Sequence, residues 1–337
     1  VASAEIVVQG QQDAGLADIL ALVEPDLRRV ETLIEEHLRS DVGLVNEIAR
    51  YVRAGGGKRI RPGLLLLSAR MCGHVGERAE LLATVVELLH TATLLHDDII
   101  DGAELRRGQK TVSRRWGSDA SVLLGDFMFA KSFEMALAPE NVPIVRLLSE
   151  VALRMIEGET IEIVRRASST VSEAENLDLI RRKTADLFSA CARIGAVLGG
   201  ATEAQTRALS SYGLNLGICF QMVDDLLDLT GSEARLGKPV ASDLREGRVT
   251  LPIILLLDRA EADAARQVQT VLTDRSFERV SREQIVRLVR EYGVLEQARR
   301  IAQSHADAAR ADLAVFEDSP YRKALEDLAD FTVRREY

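Results

Sequence analysis

Residues 77–101 read ERAELLATVVELLHTATLLHDDIID, from Glu77 to Asp101, and this stretch decides the architecture. It reads as one long helix whose middle, Leu81 to Leu95, is almost entirely apolar or small. Such a helix has no polar face to give to water, so it belongs at the centre of a bundle where neighbours cover every side. It then ends on three carboxylates, Asp97, Asp98 and Asp101.

The sequence on either side supports a bundle. Pro25, ahead of Leu27, Val30, Leu33, Ile34 and Leu38, suits the first position of an amphipathic helix reaching about Ser40. Further helical patterns cover 120–138, 142–164, 177–198, 202–229 and 251–260 and continue through a more charged C-terminal third. Gly55-Gly56-Gly57 marks a turn. Arg165 to Asn176 is a Ser- and Thr-rich break whose Ser172-x-x-Glu175 spacing predicts a capped helix start. Thr230 to Val249 reads as a long loop with Gly231, Gly237, Pro239 and Gly247, the kind that closes over a ligand. With no linker and no internal period of repeat length, the expectation is a loose tail over 1–15 and a single all-α domain over 16–337. The last residues, Arg334-Arg335-Glu336-Tyr337, read as a solvated terminus.

Composition narrows the class. The chain has 337 residues, 47% hydrophobic and 28% charged, which excludes a disordered or collagen-like chain. Aromatic content of 4% and only 7 prolines disfavour a β-sandwich or barrel. Against 52 Asp and Glu stand 43 Lys and Arg, a net charge of −9, which argues against nucleic acid or anionic lipid as a partner. Cys72, Cys191 and Cys219 are far apart and lack CxxC spacing, which fits a reducing compartment. No apolar run is long enough to span a bilayer, and the start lacks the pattern of a secretory signal, so a cytoplasmic location is expected.

One pattern occurs twice: Asp97-Asp98-x-x-Asp101 and Asp224-Asp225-x-x-Asp228. Positions i, i+1 and i+4 of a helix share one face, so each triplet gathers three carboxylates. A single copy would read as a solvated acidic surface. Both copies, however, sit among apolar neighbours, Leu94-Leu95 with Ile99-Ile100 and Phe220 with Leu226-Leu227, where unpaired carboxylates are costly. Chance would supply about 0.1 copies in a chain of this composition. If the two helices face each other, only cations can neutralise the gap, and an all-oxygen donor set indicates Mg²⁺ held jointly with substrate phosphates. His96, beside Asp97, reads as a structural histidine.

A basic constellation accompanies the acidic one. Gly55 to Pro62, GGGKRIRP, joins a backbone that can approach a ligand closely to Lys58, Arg59 and Arg61, a phosphate-binding arrangement. Arg106-Arg107-Gly108 follows the first acidic triplet and can offer two guanidinium groups to a diphosphate. His90, seven residues before Asp97, lies two turns along the same face.

Together these residues resemble the trans-type isoprenyl diphosphate synthases. The resemblance rests on Leu94-Leu95-His96-Asp97-Asp98-Ile99-Ile100-Asp101 with Leu105-Arg106-Arg107-Gly108, and on Phe220-Gln221-Met222-Val223-Asp224-Asp225-Leu226-Leu227-Asp228 with Gly237-Lys238-Pro239 and Asp243-Leu244. It spans about Gly55 to Pro252. It implies an all-α bundle around a deep central cavity and a reaction that extends an allylic diphosphate by units of isopentenyl diphosphate. It implies that Asp97, Asp98, Asp101, Asp224, Asp225 and Asp228 hold three Mg²⁺ ions bridging the allylic diphosphate, which Arg106, Lys183 and Lys238 also contact. Lys58, Arg61, His90 and Arg107 would hold isopentenyl diphosphate, Thr184 and Gln221 would turn oxygens toward the allylic cation, and Arg248 would ride on the closing loop. A homodimer is a family expectation.

Product length turns on Ala92 and Thr93, five and four residues before Asp97. Short-chain members tend to carry bulky aromatics there; both are small here. The expected channel then continues along Leu88 and Leu89 and a neighbouring helix with Val122 and Leu123, giving a long product of about eight to ten isoprene units, as in quinone side chains. The alternatives are a shorter farnesyl or geranylgeranyl product, a terpene cyclase on the same bundle, and a regulatory subunit of a heteromeric prenyltransferase. The Lys58/Arg61 element speaks against the cyclase and the two intact aspartate motifs against the regulatory subunit.

Overall fold

The computed structural model describes residues 14–166, 170–231 and 240–335. The helices are α1 (Ala14–Leu20), α2 (Glu24–His37), α3 (Gly43–Ala54), α4 (Ile60–Met71), α5 (Glu77–Ile100), α6 (Val112–Trp116), α7 (Ser118–Ala136), α8 (Val142–Arg165) and α9 (Glu173–Ile180). A π turn, Arg181–Ala185, leads into α10 (Asp186–Leu198), and α11 runs from Glu203 to Thr230. The chain ends with α12 (Ser242–Arg245), α13 (Leu251–Leu257), α14 (Ala262–Asp274), α15 (Arg282–Glu291), α16 (Val294–Asp312) and α17 (Pro320–Arg334). The strands among the described residues are β1 (Leu105–Arg106) and β2 (Gln109–Lys110), paired antiparallel as a hairpin.

Local sequence explains the ends of several elements. Pro25 lies in the first turn of α2, where its missing N–H would have had no partner. The Ser172–Glu175 box forms at the start of α9: the Glu175 N–H donates to Ser172 Oγ at 3.3 Å and the Ser172 N–H to Glu175 Oε2 at 3.0 Å. Thr202 and Gln205 form the same reciprocal box at the start of α11. The hairpin turns through Arg107 (φ 52°) and Gly108 (φ 75°), two positive angles in succession, which match the right-handed twist of its strands.

Helix α5 is central, as its all-round apolar pattern predicts. Leu82, Ala83, Val85, Val86, Leu88, Leu89 and Ala92 are all 1% exposed or less. It packs against α2, α4, α7 and α10. Helix α10 also packs against α4 and α11, and so stands between the two helices that carry the aspartates. One apolar core gathers α1, α2, α4, α5, α7, α8, α10 and α17; a second gathers the later half of α11 with α13 to α16. Helix α11 belongs to both, through Tyr212 and Leu216 on one side and Met222, Val223 and Leu226 on the other.

Three expectations need correction. Helix α1 begins at Ala14, within the stretch read as a tail; residues 1–13 lie outside the described residues. The single helix expected over 177–198 is α9, the π turn and α10 in succession. The terminus is solvated only in part: Arg334 is exposed, Arg335 is buried, and 336 and 337 lie outside the described residues.

Candidate active site

The first acidic triplet occupies the last turn of α5. Asp98 is 3% exposed and accepts from Arg106 Nε of β1 at 2.8 Å, so the hairpin folds back to cover the carboxylate it follows. Burial pushes Asp97 up to about 7, reinforced by Glu159 and Asp101 and opposed by Lys183 and Arg106. Burial also raises Asp98, against the pull of Arg106. Asp101 pairs with Arg166 Nη2 at 2.5 Å and with Arg248 Nη1 at 3.5 Å.

The second triplet occupies the last turns of α11. Thr184 Oγ1 donates to Gln221 Oε1 at 2.9 Å, and Gln221 Nε2 donates to Asp225 Oδ1 at 2.9 Å, so the π turn and α11 share one polar chain. Burial raises Asp225 well above the carboxylate range, with Asp243 adding to it. Asp228 is turned inward: it accepts from Ser242 Oγ at 2.7 Å and from the Asp243 N–H at 3.2 Å. It thereby fixes the short helix α12 that follows the second motif. Arg248 ties the first motif to the segment that follows the second, reaching Asp101 at 3.5 Å, Glu162 at 3.7 Å and Asp243 at 3.5 Å, with Glu246 also in contact. Lys238 lies outside the described residues.

Between the motifs lies a group that the sequence reading did not single out. Glu159 and Glu162 project from α8, and each pairs with Lys183 Nζ at 2.6 Å. Their oxygens and that of Asp101 lie within 4.8 Å of one another. Burial works to lower the Lys183 ammonium, but Glu162 and Glu159 outweigh it and raise it, so Lys183 stays charged. Gly158 permits this closeness, because a Cβ there would meet Lys183 Cγ at 2.9 Å and Arg182 Cβ at 3.0 Å. Arg335, missed as well, places Nη2 2.6 Å from Asp224 Oδ1 and its guanidinium 3.8 Å from the Phe220 ring centre. The clue available for α8 was Gly158-Glu159-x-x-Glu162, two acids three residues apart on one helix face behind a glycine.

The basic constellation assembles beside Phe188. Arg61 Nη1 lies 2.9 Å from His90 Nε2, and its guanidinium stacks 4.7 Å from the Phe188 ring centre. Burial and the arginines Arg61, Arg107, Arg106 and Arg59 hold His90 well below the usual histidine range, so it is neutral and accepts from Arg61. The hairpin brings Arg107 Nη1 to within 3.5 Å of Gly55 O, which places it against the glycine turn that carries Lys58.

The residues expected to govern product length divide. Ala92 is completely buried, and Thr93 Oγ1 donates to the His90 carbonyl at 2.8 Å. Leu88 and Leu89 are buried, whereas Val122 and Leu123 are exposed on the outer side of α7 and line no interior wall of this chain. The side of α7 that meets α5 carries Ser121, Leu124, Gly125 and Met128 instead: Ser121 Oγ donates to Leu95 O, and Gly125 leaves room for the His96 ring. His96 lies 3.4 Å from Asp126, a structural setting.

A family model described as polyprenyl synthetase matches residues 42–289, and the chain belongs to that family. It is accordingly a prenyltransferase. The octaprenyl diphosphate synthase of Escherichia coli (strain K12) is 36% identical over 321 residues, 95% of this chain and 99% of that protein. The polyprenyl synthase of Caulobacter crescentus CB15, solved with calcium and isoprenyl diphosphate, superposes with a TM-score of 0.91 at 38% identity over 96% of this chain and 98% of its own. A decaprenyl diphosphate synthase from Rhodobacter capsulatus gives 0.90 at 36% identity over 96% and 99%. No helix among the described residues is long and apolar enough to cross a membrane.

Proposed function

We propose that the chain is a long-chain all-trans polyprenyl diphosphate synthase, which condenses isopentenyl diphosphate repeatedly onto an allylic diphosphate. The observation that carries the length is Ala92: a fully buried methyl stands one to two turns before Asp97, where a bulky ring would stop the growing tail. The octaprenyl and decaprenyl relatives support the same reading.

The donor set suits Mg²⁺, because it is all oxygen and is already balanced by Arg166, Lys183 and Arg248, cations that a metal can replace. Asp97, Asp101 and Asp224 would hold the ions, three per site, while Asp98, Asp225 and Asp228 hold Arg106, Gln221 and α12 in place. Bound there, Mg²⁺ supplies positive charge to the allylic diphosphate as its C–O bond ionises. Arg106, Lys183, Lys238 and Arg248 add cations around the leaving diphosphate. Thr184 and Gln221 present oxygens to the allylic cation, and the apolar walls keep water from it. Lys58, Arg61, neutral His90 and Arg107 orient isopentenyl diphosphate for attack.

Residues 16–337 are proposed to form one domain, supported by the sharing of α11 between both cores. A homodimer is proposed as well, supported by Leu123 on α7 and Leu153 and Ile156 on α8, each more than half exposed in the single chain. Three unpaired thiols support a cytoplasmic setting. The test is incubation with farnesyl diphosphate, labelled isopentenyl diphosphate and Mg²⁺, followed by sizing of the dephosphorylated products. Products of C40 to C50 are expected; labelled products that stop at C20 would refute the long-chain reading, and no incorporation would refute the synthase.

A further inference from the structure

Arg59 lies between Lys58 and Arg61, yet its guanidinium is directed elsewhere. Its side chain is 16% exposed; Nε contacts Glu31 of α2 and Nη1 contacts Glu87 of α5. Glu87 is 6% exposed and lies one turn before His90 on the same helix. A buried arginine shared between two carboxylates on two helices ties the glycine turn to both of them.

The backbone at this residue is unusual. Arg59 is left-handed, with φ 50° and ψ 31°, at the start of α4, and its carbonyl accepts from the Gly63 N–H at 2.9 Å. A non-glycine residue keeps this conformation only where its surroundings over-determine it. Gly57 is part of the device: a Cβ there would meet Arg59 Nη1 at 2.7 Å and Arg107 Nη1 at 3.2 Å, so the turn is packed directly against two guanidinium groups. Two residues on, Arg61 reaches His90 on the helix that Glu87 also occupies.

We propose that Arg59 is a positioning residue for isopentenyl diphosphate: the Glu31–Arg59–Glu87 clamp fixes a left-handed turn that presents Lys58 and Arg61 to one diphosphate. This rests on the synthase reading above. The clamp acts through its neighbours, so its loss should weaken the hold on isopentenyl diphosphate and leave the allylic site, formed by α5, α8 and α11, nearly unchanged.

Arg59→Gly separates the clamp from the turn, since glycine adopts the left-handed conformation without strain. If backbone shape alone mattered, that variant would bind as well as the native protein. With the clamp required, Arg59→Gly raises KM for isopentenyl diphosphate by about tenfold or more while KM for the allylic diphosphate stays within about threefold. Arg59→Lys, which can reach one carboxylate at a time, falls between the two. Arg59→Gly combined with Glu87→Gln removes the buried unpaired charge; its thermal midpoint should recover while KM for isopentenyl diphosphate stays raised. Native KM in either glycine variant, or KM recovering together with stability, overturns the proposal. A native protein that incorporates no isopentenyl diphosphate defeats the synthase reading itself, and the two failures are thereby distinguished.

Discussion

Replacing Arg335 with Met tests whether the C-terminal arginine stands in for a metal charge. Its side chain is 3% exposed, bonds Asp224 at 2.6 Å and the Phe220 carbonyl at 2.5 Å, and sits over the Phe220 ring at 3.8 Å from its centre. Removing one partner of a fully buried ion pair costs about 3–5 kcal/mol, because the other charge is left uncompensated. Asp224 keeps about a third of its side-chain surface in water, and Met retains part of the ring contact, so about 2–3 kcal/mol is expected here. At roughly 2 cal/mol/K of unfolding entropy per residue, that lowers the midpoint of a chain this size by about 3–4 °C. Mg²⁺ with inorganic diphosphate should neutralise Asp224 in place of the guanidinium and shrink the loss. With the competing cation gone, the apparent Mg²⁺ affinity should rise about fivefold to tenfold. Differential scanning calorimetry with and without Mg²⁺ and diphosphate measures the first effect, and calorimetric Mg²⁺ titration the second. An equal midpoint loss in both conditions with unchanged Mg²⁺ affinity would show that Arg335 only packs.

Ala92→Phe should cut the product to C15–C20: Ala92 lies about 7.5 Å along the axis from Asp97, the length of one to two isoprene units, so chromatographic sizing that still finds C40 would refute the channel. Asp97 is raised to about 7 from its ordinary 3.8, so the folded chain keeps a proton that the unfolded chain releases. Its contribution to metal-free stability therefore falls as pH rises from about 4 to about 7, and the Mg²⁺-induced gain in thermal midpoint should be larger at pH 8 than at pH 6; a larger gain at pH 6 would contradict this. Leu153→Glu with Ile156→Glu should convert a dimer to a monomer by light scattering, because both side chains are exposed in the single chain; an unaffected dimer would place the interface elsewhere.

What was legible in the sequence is what local rules encode. The all-round apolar run of α5, the capping box at Ser172 and the doubled aspartate pattern each depend on neighbours within a few turns. Glu159, Glu162, Arg166 and Arg335 were not legible because their meaning comes from residues distant in sequence. Glu162 reads as an ordinary helical acid until Lys183 arrives 21 positions later, and Arg335 reads as terminal until it meets Asp224. Val122 and Leu123 failed for a related reason: spacing shows that a helix has an apolar face, but not whether that face looks into this chain or away from it.

The π turn at Arg181–Ala185 has a consequence for how such a site can change. A π turn adds one residue to a helix without ending it, so everything downstream is rotated by about 100° against everything upstream. Lys183 and Thr184 can thus face Glu162 and Gln221 while α10 keeps its own register, with Phe188 against Gly217 and beneath Arg61. An unbroken helix would have to choose between these alignments. Substitution can therefore explore the site and the core separately here, while losing a single residue from 181–185 would leave an unbroken helix that keeps one alignment at the expense of the other.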